Sequence, residues 1–124
     1  MRRSLIGLSA LAVLAATLVV TPTALAKEGD VRVAGTCSAS STSKLKLSRE
    51  DGGVEVEFEV DQNRNGVRWH VVLLRNGSRV ASRSAVTRGP SGSFEARFVS
   101  SGAGRFVAQA QRSGERCSAR ASFA

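Results

Sequence analysis

Residues 44–61 read KLKLSREDGGVEVEFEVD, with apolar and polar side chains alternating on both sides of one Asp51-Gly52 pair. Period-two alternation marks a half-buried strand, because successive side chains leave opposite faces of a pleated backbone. Asp-Gly suits the two-residue hairpin turn whose central residues both take positive φ. Counting outward from that turn sets Arg49 against Val54, Ser48 against Glu55, Leu47 against Val56 and Lys46 against Glu57. Leu45 then meets Phe58, and Lys44 meets Glu59. The apolar pairs collect on one face and both Lys–Glu pairs on the other; a slip of one residue would mix the two sets, so the register is specified. Glu55, Glu57 and Glu59 are therefore expected on the solvated side of a strand. Alternate carboxylates lie roughly 6.5–7 Å apart, near the spacing of some glycoside-hydrolase pairs. Such enzymes hold one carboxyl in an apolar cleft, whereas lysines oppose two of these three.

The same period extends through the rest of the chain. Val31, Val33 and Cys37 share a parity in VRVAGTC, and VRWHVVLLR (67–75) runs to a second hairpin signal at Asn76-Gly77. SRVASRSAVT (78–87), FEARF (94–98), RFVAQAQ (105–111) and the series Cys117, Ala119, Ala121, Phe123 complete the pattern. SSTS (40–43), DQNRNG (61–66), RGPSGS (88–93) and SSGAG (100–104) read as loops between them. The spacing predicts eight strands, no helix and no repeat. That is an all-β chain folded as a two-sheet antiparallel sandwich of seven to eight strands. GRFVAQAQRSGERCSARASFA (104–124) resembles the last two strands of an immunoglobulin-like domain, and WHVVLLRNGSRV (69–80) resembles its middle strands. The resemblance implies an immunoglobulin-like sandwich, with one departure: Cys37 and Cys117 fall in the outermost strands rather than in two inner ones. The layout is also similar to small secreted proteins of actinobacteria, a likeness that implies no particular activity.

The N-terminal end carries a different message. MRRS, the apolar run LIGLSALAVLAATLVV and the small-residue pattern Ala24-Leu25-Ala26 read as an export signal over 1–26, cleaved before Lys27. The run from Leu5 to Val20 is 16 residues, short of the roughly 20 a bilayer span needs, so no membrane span is expected after cleavage. Arg2-Arg3 leaves both the general and the twin-arginine export routes open. The expected mature domain is 27–124, secreted and monomeric. In an oxidising compartment its two cysteines, Cys37 and Cys117, are expected to form one disulfide. Thiols tied together are neither a nucleophile nor a metal site.

Charge is divided along the chain. Residues 27–61 hold 5 basic and 8 acidic side chains, whereas 62–124 hold 11 basic and 2 acidic. Such asymmetry suits an anionic partner. On a hairpin counted back from Asn76-Gly77, His70 falls opposite Arg83 and Leu74 opposite Arg79, with Arg68 on the same face. Arg68, His70, Arg79 and Arg83 are thus the candidate anion-binding residues, and Val72 and Leu74 on that face call for either a covering strand or a partner surface. Asp61, Asn63 and Asn65, with Gly66, match the start of a helix–loop–helix calcium loop, but Val72 stands where that motif needs a bidentate Glu. They are weak metal candidates. His70 is the only histidine and no Gly-x-Ser-x-Gly motif occurs, so no nucleophile–base pair can be assembled, and neither catalysis nor a cofactor is expected. Trp69 is expected in the core, and the phenylalanines fall on core parity, leaving little aromatic surface for nucleic acid. The expectation is a secreted binding or structural module for an anionic cell-envelope polymer. The alternative is an extracellular protein-binding module, such as a protease inhibitor presenting RGPSGS.

Overall fold

The computed structural model describes residues 12–17 and 29–124. The expected export signal and its cleavage point lie largely outside the described residues, and 12–17 carry no regular secondary structure. Nine strands follow: β1 (Val31–Ala34), β2 (Thr36–Cys37), β3 (Thr42–Glu50), β4 (Gly53–Asp61), β5 (Arg68–Arg75), β6 (Ser78–Val86), β7 (Ser93–Ser100), β8 (Gly104–Arg112) and β9 (Glu115–Phe123). They form two sheets, ordered β1-β3-β4-β7 and β2-β9-β8-β5-β6, with antiparallel pairing throughout. No helix among the described residues is long and apolar enough to cross a membrane.

The β3–β4 hairpin has the register that side-chain alternation demands, from Glu50 against Gly53 to Thr42 against Asp61. Asp51 and Gly52 both take positive φ, as do Asn76 and Gly77 at the β5–β6 turn. Leu45, Leu47, Val54, Val56, Phe58 and Val60 face inward and are buried. Against them the five-stranded sheet sets Trp69, Val71, Leu73, Phe106 and a run of small residues, Ala108, Ala110 and Ala119. The alanines let the sheets approach while the valines and phenylalanines opposite fill the gap. Each fully buried Val, Leu or Phe contributes about 1.5–3 kcal/mol to the folded state. Trp69 lies in the core as expected, its indole nitrogen donating to Gln62 Oε1 at 3.0 Å.

Two sequence-based expectations are corrected by the fold. VRVAGTC is not one strand: it changes sheets at Gly35, pairing first with β3 and then with β9. A Cβ at Gly35 would run into the Ser43 hydroxyl and the Ser118 carbonyl, so only glycine permits the crossing. SSTS is not a loop throughout, because β4 extends to Asp61 and draws Thr42 and Ser43 into the ladder. The Cys37–Cys117 disulfide joins residues directly opposite on β2 and β9, 80 positions apart in the chain.

The order β2-β9-β8-β5-β6 is that of the immunoglobulin sheet carrying the final two strands and the middle hairpin. The other sheet differs, since its two central strands are the Asp51-Gly52 hairpin rather than strands from separate parts of the chain.

Candidate functional site

The two outer sheet faces carry opposite kinds of charge pattern. On the four-stranded sheet, Arg97 from β7 ties together Glu57 at 3.0 Å, Glu95 at 3.2 Å and Glu55 at 3.4 Å. Lys44 meets Glu59 at 3.6 Å and Lys46 meets Glu57 at 4.0 Å. Glu95 first, by hydrogen bonding, and then the charges of Glu55 and Glu57 raise the pKa of Arg97 above the usual guanidinium range. A hollow of about 180 Å³ on this face is lined by Arg32, Lys44, Lys46, Glu57, Glu59 and Glu95, three cations against three anions. The three glutamates are the outer side of their strand, in a ladder that is electrically closed.

The outer face of the five-stranded sheet has no such closure. Arg68, His70, Val72 and Leu74 project from β5, and Gln109, Gln111, Val107 and Arg105 project beside them from β8. Arg116, Ser118 and Arg120 continue the face on β9, and Arg79, Ser82 and Ser84 on β6. Arg68, Arg79, Arg105, Arg116 and Arg120 are exposed, and the five strands contain one carboxylate, Glu115, whose side chain is buried. Among the described residues none of these five guanidiniums forms an ion pair. At the centre of the face His70, Val72, Arg79, Gln109, Gln111 and Arg116 line an open basin of about 290 Å³.

Of the four anion-binding candidates, the fold brings Arg68, His70 and Arg79 to this face and turns Arg83 away. Leu74 does pair with Arg79, but Val80 is an extra residue in β6, so Leu73 pairs with Ala81, Val71 with Arg83 and His70 with Ser84. Beyond the bulge the parity of β6 is reversed. Arg83 accordingly points to the inner side and lays its guanidinium over the Phe98 ring, 4.5 Å from the centroid. The place expected for it opposite His70 is taken by Ser84, and the further donors Gln109, Gln111 and Arg116 come from β8 and β9, which counting along one hairpin could not find. The signal was present as the alternation of Gln109, Gln111, Arg116 and Arg120 against core alanines, but it needed β8 beside β5 to be read. That neighbour also half-covers Val72 and Leu74.

The other candidates are placed at one end of the sandwich. Asp61 Oδ1 accepts a hydrogen bond from the Asn63 amide at 3.0 Å, closing a local turn with Asn63 and Gly66 at positive φ. Asn65 packs its side-chain amide against Gly89. The RGPSGS segment folds back on itself: the Arg88 carbonyl accepts from Gly92 at 2.9 Å and from Ser93 at 3.2 Å. Gly92 is buried against the Asn63–Arg64 backbone, and its carbonyl accepts from Gln62 at 3.1 Å. It is a closed turn packed on a second loop. The one group of three potential metal ligands among the described residues is Cys37, Cys117 and Glu115. Its sulfurs are bonded to each other, and the carboxylate is engaged by Ser41 and Arg112. Compared with protein-family models, with curated proteins and with solved structures, the chain shows no significant match.

Proposed function

We propose that this protein is a secreted, non-catalytic module that binds anionic cell-envelope polymers on the outer face of its five-stranded sheet. The observation that carries the reading is the contrast between the two faces: one has its charges paired in a ladder, the other presents five exposed arginines and no carboxylate. Unpaired like charges held on a rigid sheet repel one another, and an anionic polymer relieves that repulsion while releasing its counterions. The aromatic rings are in the core, with Trp69 and all five phenylalanines buried, so the face offers no platform for stacked bases. It therefore reads backbone charge rather than base identity. A disulfide is compatible with an oxidising extracellular setting.

The test is affinity for a soluble phosphodiester polymer as a function of salt. Each arginine–phosphate pairing removed should reduce the slope of log K against log salt by about 0.7–0.9. The double variant Arg79→Ser with Arg116→Ser is expected to reduce it by about twice that amount. Arg32→Ser with Lys44→Ser, which removes the same charge from the opposite face, is expected to leave the slope unchanged. Equal reductions in the two variants would mean that net charge alone retains the polymer, and the site would be abandoned.

A further inference from the structure

The basin holds at its centre the chain's single histidine. His70 stands on β5 between Ser84 of β6 and Gln111 of β8, and Gln111 is in turn opposite Arg116 of β9. Arg68 and Val72 flank it along its own strand, and Arg79 closes the basin from β6. Every charged group that these four strands turn towards it is a cation. Without ligand, a proton on the imidazole has arginines around it and no counter-charge.

Donors from four adjacent strands line this basin: Arg79 from β6, His70 from β5, the Gln109 and Gln111 amides from β8, and Arg116 from β9. A tetrahedral oxyanion ester carries its charge on terminal oxygens, three in a sulfate monoester and two in a phosphodiester, with ester oxygens out of their plane, whereas a carboxylate presents two oxygens in one plane. Resting on the reading of this face as a polyanion surface, we infer that the basin is a binding site for tetrahedral oxyanion esters, and that His70 takes up a proton as one seats. The ester stays anionic throughout; the imidazole gains its proton from solvent and becomes a third charged donor to the bound group. Because histidine ordinarily changes charge between about pH 5 and 8, the site tightens in acid and loosens above neutrality.

The experiment is isothermal titration of the folded chain with a glycerol phosphodiester oligomer and, separately, with dextran sulfate. Both keep their charge between pH 5 and 8, and running both distinguishes phosphate from sulfate as the ester recognised. At constant ionic strength, affinity is expected to rise on the order of ten-fold from pH 8 to pH 5.5, the scale of one added charge-assisted hydrogen bond. Buffers of different ionisation enthalpy should report uptake of up to one proton on binding within this pH range. His70→Gln, which keeps a neutral hydrogen-bonding side chain, should lose both the pH dependence and the proton uptake, whatever its affinity. A natural chain with a flat profile, or a His70→Gln variant with the natural profile, would overturn the inference while leaving the polyanion surface standing. No binding of either polymer at any pH would remove both.

Discussion

Glu115 shows how much one side chain can organise. Its carboxylate is buried beneath the β8–β9 turn and accepts hydrogen bonds from the Ser41 hydroxyl at 2.6 Å, the Ser41 amide at 3.0 Å and the Ala39 amide at 3.2 Å. Arg112 completes the set at 3.2 Å. The 38–41 segment has no strand partner of its own at Ala39 and Ser40, and this carboxylate supplies one from more than 70 positions away. Burial pushes the carboxyl pKa up, but the Ser41 bonds and Arg112 together outweigh it, so the group titrates below the usual glutamate range. A carboxyl whose folded value is depressed stabilises the fold fully above its unfolded value of about 4.3. That contribution is lost as the pH falls through the lower folded value. Urea unfolding followed from pH 7 to pH 3 is expected to show this loss, and Glu115→Gln is expected to flatten it. Glu115→Ala, which leaves Arg112 without a counter-charge and the loop amides without an acceptor, should cost about 3 kcal/mol at pH 7. An unchanged acid limb in the Gln variant would show that other carboxylates control it.

At the scale of the element, the strand β6 has most to manage. It is nine residues long and lies at an open edge of its sheet, where unpaired backbone groups invite another strand. Two features oppose that: the bulge at Val80, and Arg83, a charge turned to the inner side where a core residue would stand. Arg49 over Phe123 and Arg112 over Trp69, each 5.4 Å from the ring centroid, close other rims of the sandwich in the same way. Arg83→Val would join Ala81 and Ala85 into a continuous apolar inner row on that edge. Sedimentation velocity is expected to show an increased fraction of associated protein in this variant relative to the natural chain. A sedimentation profile identical to the natural one would show that the bulge alone protects the edge. Neither feature is legible locally, because SRVASRSAV has no clean alternation that would show where the parity changes.

Across the whole molecule, the first and last parts of the sandwich are joined by the disulfide. Replacing both cysteines with serine removes a cross-link closing 80 positions of chain and should cost about 2–5 kcal/mol. Guanidinium unfolding is expected to show a lower midpoint; an unchanged midpoint would mean that the β2–β9 pairing holds the ends without it. The same scale decides the fate of the arginines. Residues 62–124 contain eleven basic side chains, and the fold divides them between the outer face, the core rims, the salt-bridged ladder and the end loops. A count of charge predicts a basic half; it does not distinguish Arg116, which lines the basin, from Arg112, which reaches Glu115.

The strands beyond Thr42, the two hairpin turns, the β3–β4 register and the inward set from Leu45 to Val60 followed from the amino-acid order alone. Side-chain alternation and turn residues act over a few positions, so their consequences are local. The change of sheet at Gly35, the parity reversal at Val80 and the meeting of His70 with Gln111 and Arg116 were decided only by tertiary structure. They depend on which strands lie side by side, and that is settled by packing two complete sheets against each other, with β8 brought beside β5 from more than 30 positions away.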